Sequence, residues 1–346
     1  MSKYEYLKLI KEDSTPFFYR KDSLKPLEEE LREFLCDLEA FNTLEFATKT
    51  LFTQYSSCEN ERIGANLLRA YKYILTAGSL DKEKLKQLYS ILSDGLLKSE
   101  DLDNMGDYYR AKDVYILEKG RYESKAKQDI PPERIDEFLS SYFDAFNDAD
   151  SLDDVDVYVK SQILHFYFFY IHPYFDVNSR ASKTLSMWYL LNNKAYPFSV
   201  FNRGILFRYH EFDSTIMSAK NGNDLTSFLI LMLEIVKTEL EKEYVIDLIR
   251  KSITCEITST EYQSIIYFLS IKGLRSVFDF ATFYNSKNDR QNVKFIYENY
   301  IVPLLDKGIL DVIGESKKEV NGLRNKKLIL KTLDVDNDKV KDLNLW

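Results

Sequence analysis

Glycine, proline, cysteine and histidine are all scarce in this chain: 11 Gly, 7 Pro, 3 Cys and 3 His among 346 residues. So little glycine and proline excludes collagen, elastic linkers and low-complexity disorder. The cysteines, Cys36, Cys58 and Cys255, contain no CxxC and cannot all pair, which suits a reducing compartment. Three histidines, His165, His172 and His210, are too few for a histidine-rich metal site. The longest apolar runs, near 163–171 and 228–236, are too short or too polar to span a bilayer. The start, Met1-Ser2-Lys3-Tyr4-Glu5-Tyr6, lacks the apolar h-region of a secretory signal. A cytoplasmic protein with no membrane partner is the expectation. GxxxxGK[ST], GxGxxG, HExxH and GxSxG are missing too, so P-loop NTPase, zincin and hydrolase-elbow readings lack support.

What is present is material for packed interiors. Hydrophobic residues make up 45% of the chain, and 48 Phe and Tyr supply rings for cores and for stacking on flat ligands. The length fits two or three domains. A net charge of −8 argues against indiscriminate coating of nucleic acid. Helical periodicity dominates. It begins after Ser23, where Pro26 suits a first helical turn and Leu27, Leu31, Phe34, Leu35 and Leu38 share a face. Further helices are expected over 44–53, 63–75, 80–97, 135–146, 179–191 and 225–243. The stretch 155–171 is apolar nearly all round and belongs at the centre of a bundle. Between 109 and 132, the run Val114-Tyr115-Ile116, then Gly120 and Pro131-Pro132, predicts a hairpin and a loop.

From about 246 the texture changes. Three helices (262–271, 277–284, 293–307) and two strand-like pieces (309–313, 326–331) follow the order of a winged helix-turn-helix. This stretch carries a net charge of +2, against −10 for the remainder. The expected organisation is a mostly α chain. It has an N-terminal helical region over 1–98, a helical core with a small β-hairpin over 99–245, and a winged-helix-like domain over 246–346. The third helix of that last domain, near Asp289-Arg290-Gln291-Asn292, either enters a major groove or serves protein docking or dimerisation. Two excess charges would hold DNA only weakly.

One segment concentrates chemistry: His172-Pro173-Tyr174-Phe175-Asp176-Val177-Asn178-Ser179-Arg180. Pro173 should end the preceding helix at or before His172, and Asn178 or Ser179 can cap the next. A polar loop at a helix N-terminus attracts anions through free N–H groups and the helix dipole. Arg180 adds a cationic fork for phosphate oxygens. Asp176 can hold Mg²⁺ and with it a polyphosphate. His172 supplies a base that titrates near neutrality. A base, a metal carboxylate, a phosphate nest and an Arg within nine residues make a phosphoryl or nucleotidyl transfer site.

The order of His172, Pro173, Asp176, Asn178 and Arg180 resembles the signature of the Fic (filamentation induced by cAMP) family, HPFx[D/E]GNGRxxR, with Tyr174 for the family's Phe. The hairpin and Pro-rich approach ahead of it resemble the family's flap. Arg208-Tyr209-His210 lies where many members carry a Tyr-Tyr pair facing the nucleotide. The resemblance spans 100–240, and the N-terminal helices and C-terminal winged helix are similar to the long multidomain members. It implies a Fic-type helical bundle that transfers AMP from ATP to a Ser, Thr or Tyr hydroxyl of a protein, the chain itself included. In that reading His172 deprotonates the target hydroxyl, Asp176 binds Mg²⁺, Asn178 contacts the α-phosphate and Arg180 holds the outgoing pyrophosphate. Ser179, Lys183 and Tyr209 complete the ATP site, and a homodimer is the implied assembly.

The chain departs from the pattern at three positions. Val177 and Ser179 replace the two glycines, and Lys183 replaces the second Arg. A β-branched residue is strained wherever φ is positive, and Lys trades a bidentate fork for a point charge. The competing reading is therefore a weak or inactive Fic-fold regulator that binds nucleotide, protein or DNA. Ser56-Ser57-Cys58-Glu59-Asn60 resembles the family's inhibitory pattern [S/T]xxxE[G/N], which implies a Glu59–Lys183 pair; the alternative is a helix-capping turn. His165 reads as a core or supporting histidine, and His210 as either a pocket or a surface residue. The run 166–170 reads as core, and Lys125 and Lys127 as a solvated face.

Overall fold

The N-terminus forms an element that the sequence pattern did not announce. In the computed structural model, strands β1 (Glu5–Ile10) and β2 (Pro16–Tyr19) pair antiparallel as a hairpin. Leu9, Phe17 and Tyr19 are its buried side chains. Phe17 meets Phe166, Tyr167 and Tyr170 edge-on, at 5.1–6.1 Å between centroids. The structure describes residues 4–36, 38–55, 61–103, 105–117, 125–127, 130–148, 152–271, 275–313 and 327–330.

Helix α1 (Lys21–Leu35) begins before Pro26, not at it, so the proline stands inside the helix. The first four N–H groups of a helix have no intrahelical acceptor. Pro26 is the sixth residue, and its missing N–H therefore forgoes a single bond near the start. Helices α2 (Leu44–Tyr55), α3 (Glu61–Ala77), α4 (Lys82–Ser93) and α5 (Ser99–Asp103) follow. Gly78, at φ 68°, terminates α3 in the left-handed conformation that glycine adopts without strain. Strands β3 (Tyr115–Leu117) and β4 (Lys125–Lys127) then pair antiparallel, Ile116 opposite Ala126, which is the expected hairpin.

Helices α6 (Ile135–Asn147), α7 (Asp154–Ile171) and α8 (Asn178–Asn192) come next. They are followed by α9 (Phe201–Phe207), α10 (Tyr209–Gly222) and α11 (Thr226–Ser252). Helix α7 is buried on every side, as its apolar composition required, and packs along α8. Its start is capped by Asp153, which accepts from the Asp156 N–H at 2.9 Å. Tyr158 donates to the Met232 carbonyl at 2.7 Å and stacks on Phe198 at 4.8 Å. Trp188 of α8 is fully buried, donates to the Gly78 carbonyl at 2.7 Å, and meets Tyr73 and Phe146 edge-on. Each such side chain contributes about 1.5–3 kcal/mol by leaving water.

The chain divides into two compact units, Met1–Lys237 and Thr238–Trp346. Helix α11 runs on through 246, where the sequence texture changes. The second unit continues with α12 (Ser259–Ser270) and α13 (Val277–Lys287), each opened by a capping box. Its third helix is α14 (Val293–Ile296), a π-turn (Tyr297–Ile301) and α15 (Val302–Asp306) in continuous succession. Strands β5 (Leu310–Ile313) and β6 (Lys327–Leu330) then pair antiparallel. Lys307 ties this helix to α12 through Glu261 at 2.6 Å, and the Leu328 N–H donates to the Arg275 carbonyl at 2.7 Å. The architecture is mostly α, with small hairpins. Among the described residues no helix is long and apolar enough to cross a membrane.

Candidate active site

The buried helix α7 ends where Pro173 requires it to. His172 is its C-cap, in the left-handed conformation at φ 51°, with its N–H on the Phe168 carbonyl at 3.1 Å. Six residues later α8 begins, and its N-cap is Val177 at φ 71°. A β-branched residue there costs about 1–2 kcal/mol. The site tolerates this because the Val177 side chain is buried, at 2% exposure.

Neither Asn178 nor Ser179 caps α8, contrary to expectation. Asn178 turns back instead and spans Tyr174: its Oδ1 accepts from the Tyr174 N–H at 3.0 Å and its Nδ2 donates to the Tyr174 carbonyl at 2.8 Å. A side-chain amide matches both backbone groups of one residue at once, and this closes the loop. Ser179 is exposed at its mouth. No side chain caps α8, so its first-turn N–H groups have neither an intrahelical nor a side-chain cap acceptor.

Tyr174 is fully buried and stacks on Tyr89, 3.6 Å between centroids and 9° between planes. The hydroxyls of both rings are buried without a partner among the described residues. Asp176, by contrast, is 60% exposed; its Oδ1 accepts from the Val177 N–H and its Oδ2 lies 3.7 Å from Arg180. Arg180 is partly buried, and its Nη1 is enclosed with no hydrogen-bond partner among the described residues. The loop thus brings together His172, Asp176, Asn178 and Arg180, with one buried cationic donor unspent.

The imidazole of His172 is 8% exposed, and its Nδ1 is buried without a hydrogen bond of good geometry. Burial, then the charge of Arg110 and that of Lys220, push its pKa down to about 3, while the Phe169 carbonyl opposes the shift. His165 is also driven to about 3, by burial and by Lys183. It sits in the core, its Nδ1 3.2 Å from Gln162 Oε1 and its ring against Phe212, as the sequence reading favoured. Both imidazoles are neutral when folded and take up protons on unfolding at acid pH. The stability they contribute is full above about pH 6.5 and is lost as pH falls towards 3. We expect each to cost about 1.4 kcal/mol per pH unit in that window. Denaturant titrations at pH 7, 6 and 5 check this: His172→Ala should remove one proton's share of the slope, and an unchanged slope would show a freely titrating imidazole.

Lys183 points inward. Its ammonium lies 5.7 Å from the Phe212 ring centroid, and burial lowers its pKa to about 8. Tyr209 opens α10, 39% exposed, one turn before that same Phe212. His210 beside it is exposed on the surface. Glu59, the inhibitory candidate, lies outside the described residues. Sequence reasoning missed two cations that act on His172, Arg110 and Lys220, each buried. Neither carries a signal in the sequence: one precedes a short strand and the other sits in the last turn of α10.

The site thus sits in a helical bundle with a short hairpin, whose buried helix ends in a histidine and whose next helix opens without a side-chain cap. Residues 79–190 match the model of the Fic/DOC family. The crystal structure of a Fic family protein from Desulfovibrio desulfuricans G20 is similar in fold. Its TM-score is 0.52 and its identity 16%, over 89% of this chain and 95% of that one. No curated protein matches the chain. The Fic/DOC match thus covers 79–190 within a mostly α fold of Fic type, and it ends before the second unit.

Proposed function

We propose that the protein is a nucleotidyltransferase that moves AMP from ATP to a Ser, Thr or Tyr hydroxyl of a protein target, itself included. One observation carries this reading: among the described residues the loop 172–180 leaves Nδ1 of a neutral imidazole without a well-aligned hydrogen bond and the buried Nη1 of Arg180 without a partner, beside an uncapped helix N-terminus. The hydroxyl oxygen attacks the α-phosphorus while its proton passes to His172. The bond from the α-phosphorus to the bridging oxygen breaks, and its electron pair leaves with pyrophosphate, which Arg180 and the N–H groups of α8 hold. The side-chain amide of Asn178 is engaged with Tyr174, so its contribution to phosphate binding would come from its backbone N–H.

Among the described residues no three His, Cys, Asp or Glu cluster as a metal cage. Asp176 is a single exposed carboxylate, the donor set that suits Mg²⁺ arriving with phosphate oxygens and water. Mg²⁺ bound there would neutralise charge on the polyphosphate.

A second reading, a Fic-type scaffold that binds nucleotide with little turnover, is favoured by the imidazole pushed to about 3, since so weak a base removes protons inefficiently at neutral pH. One experiment separates the two. Incubation with Mg²⁺ and ATP labelled at either the α- or the γ-phosphate should leave the α-label on protein and release the γ-label as pyrophosphate. Retention of the γ-label would show phosphoryl transfer, and ATP binding with neither label retained would establish the second reading.

The helix order of the second unit and its terminal hairpin support a winged helix, and the net charge of +2 over 246–346 supports at most weak, salt-dependent DNA binding.

A further inference from the structure

Arg110 is among the largest fully buried side chains of the protein, at 2% exposure. A buried guanidinium is usually held by a carboxylate. Here its hydrogen bonds run to main-chain carbonyls: Nε to His172 at 2.9 Å, Nη1 to Lys112 at 3.0 Å, and Nη2 to Ile130. Its own N–H donates to the Pro173 carbonyl at 2.9 Å. The charges of Asp113 and Glu133 favour its cationic form, against the burial that disfavours it.

The three carbonyls belong to three separate segments. Lys112 leads into β3, Ile130 follows β4, and His172 ends α7. The left-handed turn at His172 takes its carbonyl out of the helix, where no helical N–H can reach it. Arg110 satisfies that carbonyl and sets a cation at the C-terminal end of α7, the end the helix dipole makes negative. Its charge also disfavours the imidazolium of His172. The planar fork makes the three-way connection feasible, because it donates in several fixed directions at once, whereas an ammonium donates from a single point.

We propose that Arg110 is a positioning residue: it locks both ends of the β3–β4 hairpin to the loop that carries His172, so that the hairpin and the imidazole keep one geometry. The proposal deepens the transfer reading of that loop and rests on it. It predicts that a cation without the fork cannot replace Arg110.

The test uses the full chain with Arg110→Lys and Arg110→Gln. With three histidines in the sequence, each imidazole can be assigned by its own His→Ala change in ¹H–¹⁵N ring spectra. In Arg110→Lys the ring signals of His172 should move while those of His165 and His210 stay. Amide exchange should accelerate together in 111–117 and 172–178. Transfer from ATP should fall about 100-fold in kcat with KM for ATP within threefold, the signature of a misplaced catalytic group. Unmoved His172 signals in Arg110→Lys, or faster exchange in only one of the two segments, would overturn the proposal. Should the wild-type protein transfer nothing, the transfer reading fails, and the ring spectra and exchange still decide the role of Arg110. Should Arg110→Gln not fold, Arg110→Lys alone decides it.

Discussion

His172→Ala is expected to lower transfer from ATP by about 10²–10⁴-fold, the usual contribution of a positioned general base. The reason is geometric before it is electrostatic. His172 is the C-cap of the most deeply buried helix, so its backbone is fixed by α7 on one side and by Pro173 on the other. His165 lies within the core and His210 on the surface, so neither can substitute. Because the imidazole is neutral at all physiological pH values, its removal takes no charge away from a bound polyphosphate. ATP affinity should therefore stay within about threefold of wild type, a difference under 1 kcal/mol. Calorimetric binding and labelled turnover on the same preparation check both halves. Transfer undiminished in the variant would remove His172 from the chemistry, and a parallel loss of binding and turnover would assign it to nucleotide binding.

The second large effect is on binding. Among the described residues Arg180 keeps Nη1 enclosed and unpartnered, and its only ion pair is 3.7 Å long, to an exposed carboxylate. In the free protein that buried donor is a net cost, since an unsatisfied buried group forfeits about 1–3 kcal/mol. A phosphate oxygen would satisfy it with a charge-assisted bond of about 1.5–3 kcal/mol, and a forked contact would make two. Arg180→Met should thus weaken binding of ATP and of pyrophosphate about 100-fold while leaving the melting temperature of the free protein unchanged or slightly higher. Arg180→Lys should fall between the two in affinity. Equal pyrophosphate affinity in wild type and Arg180→Met would show that the orphaned nitrogen faces no anion.

The two predictions differ in what the variants should do to the unliganded protein, and this follows from where each side chain sits. His172 closes a helix and lies against Phe169, so its truncation leaves a gap under the loop. Arg180 contributes an unsatisfied donor, so its replacement relieves a defect. A functional site commonly holds such defects in the free state because the ligand removes them.

Much of this was decided by the amino-acid sequence alone. The all-round apolar stretch specified α7 as a central helix, because a segment without a polar face can be stable only when enclosed. Pro173 specified where α7 stops, because proline forbids helical geometry in its predecessor. The order of His172, Asp176, Asn178 and Arg180 marked the segment that matches the family, because those residues stand within one short stretch whose order is legible without any distant contact. The strand pair in the second unit was visible because two short apolar pieces flanked a polar loop. What the tertiary structure alone decided is long-range or conformational. Nothing local announces the β1–β2 hairpin; Phe17 finds its place only against α7, some 150 residues away. Asn178 had the composition of a cap, yet the closure of the loop turned its amide onto Tyr174. Val177 was legible as a risk, and only the packing that holds it at φ 71° shows that the chain accepts the strain. Arg110 was invisible for the plainest reason: its partners are main-chain carbonyls, and a carbonyl belongs to every residue, so no pattern of side chains could mark the three that it joins.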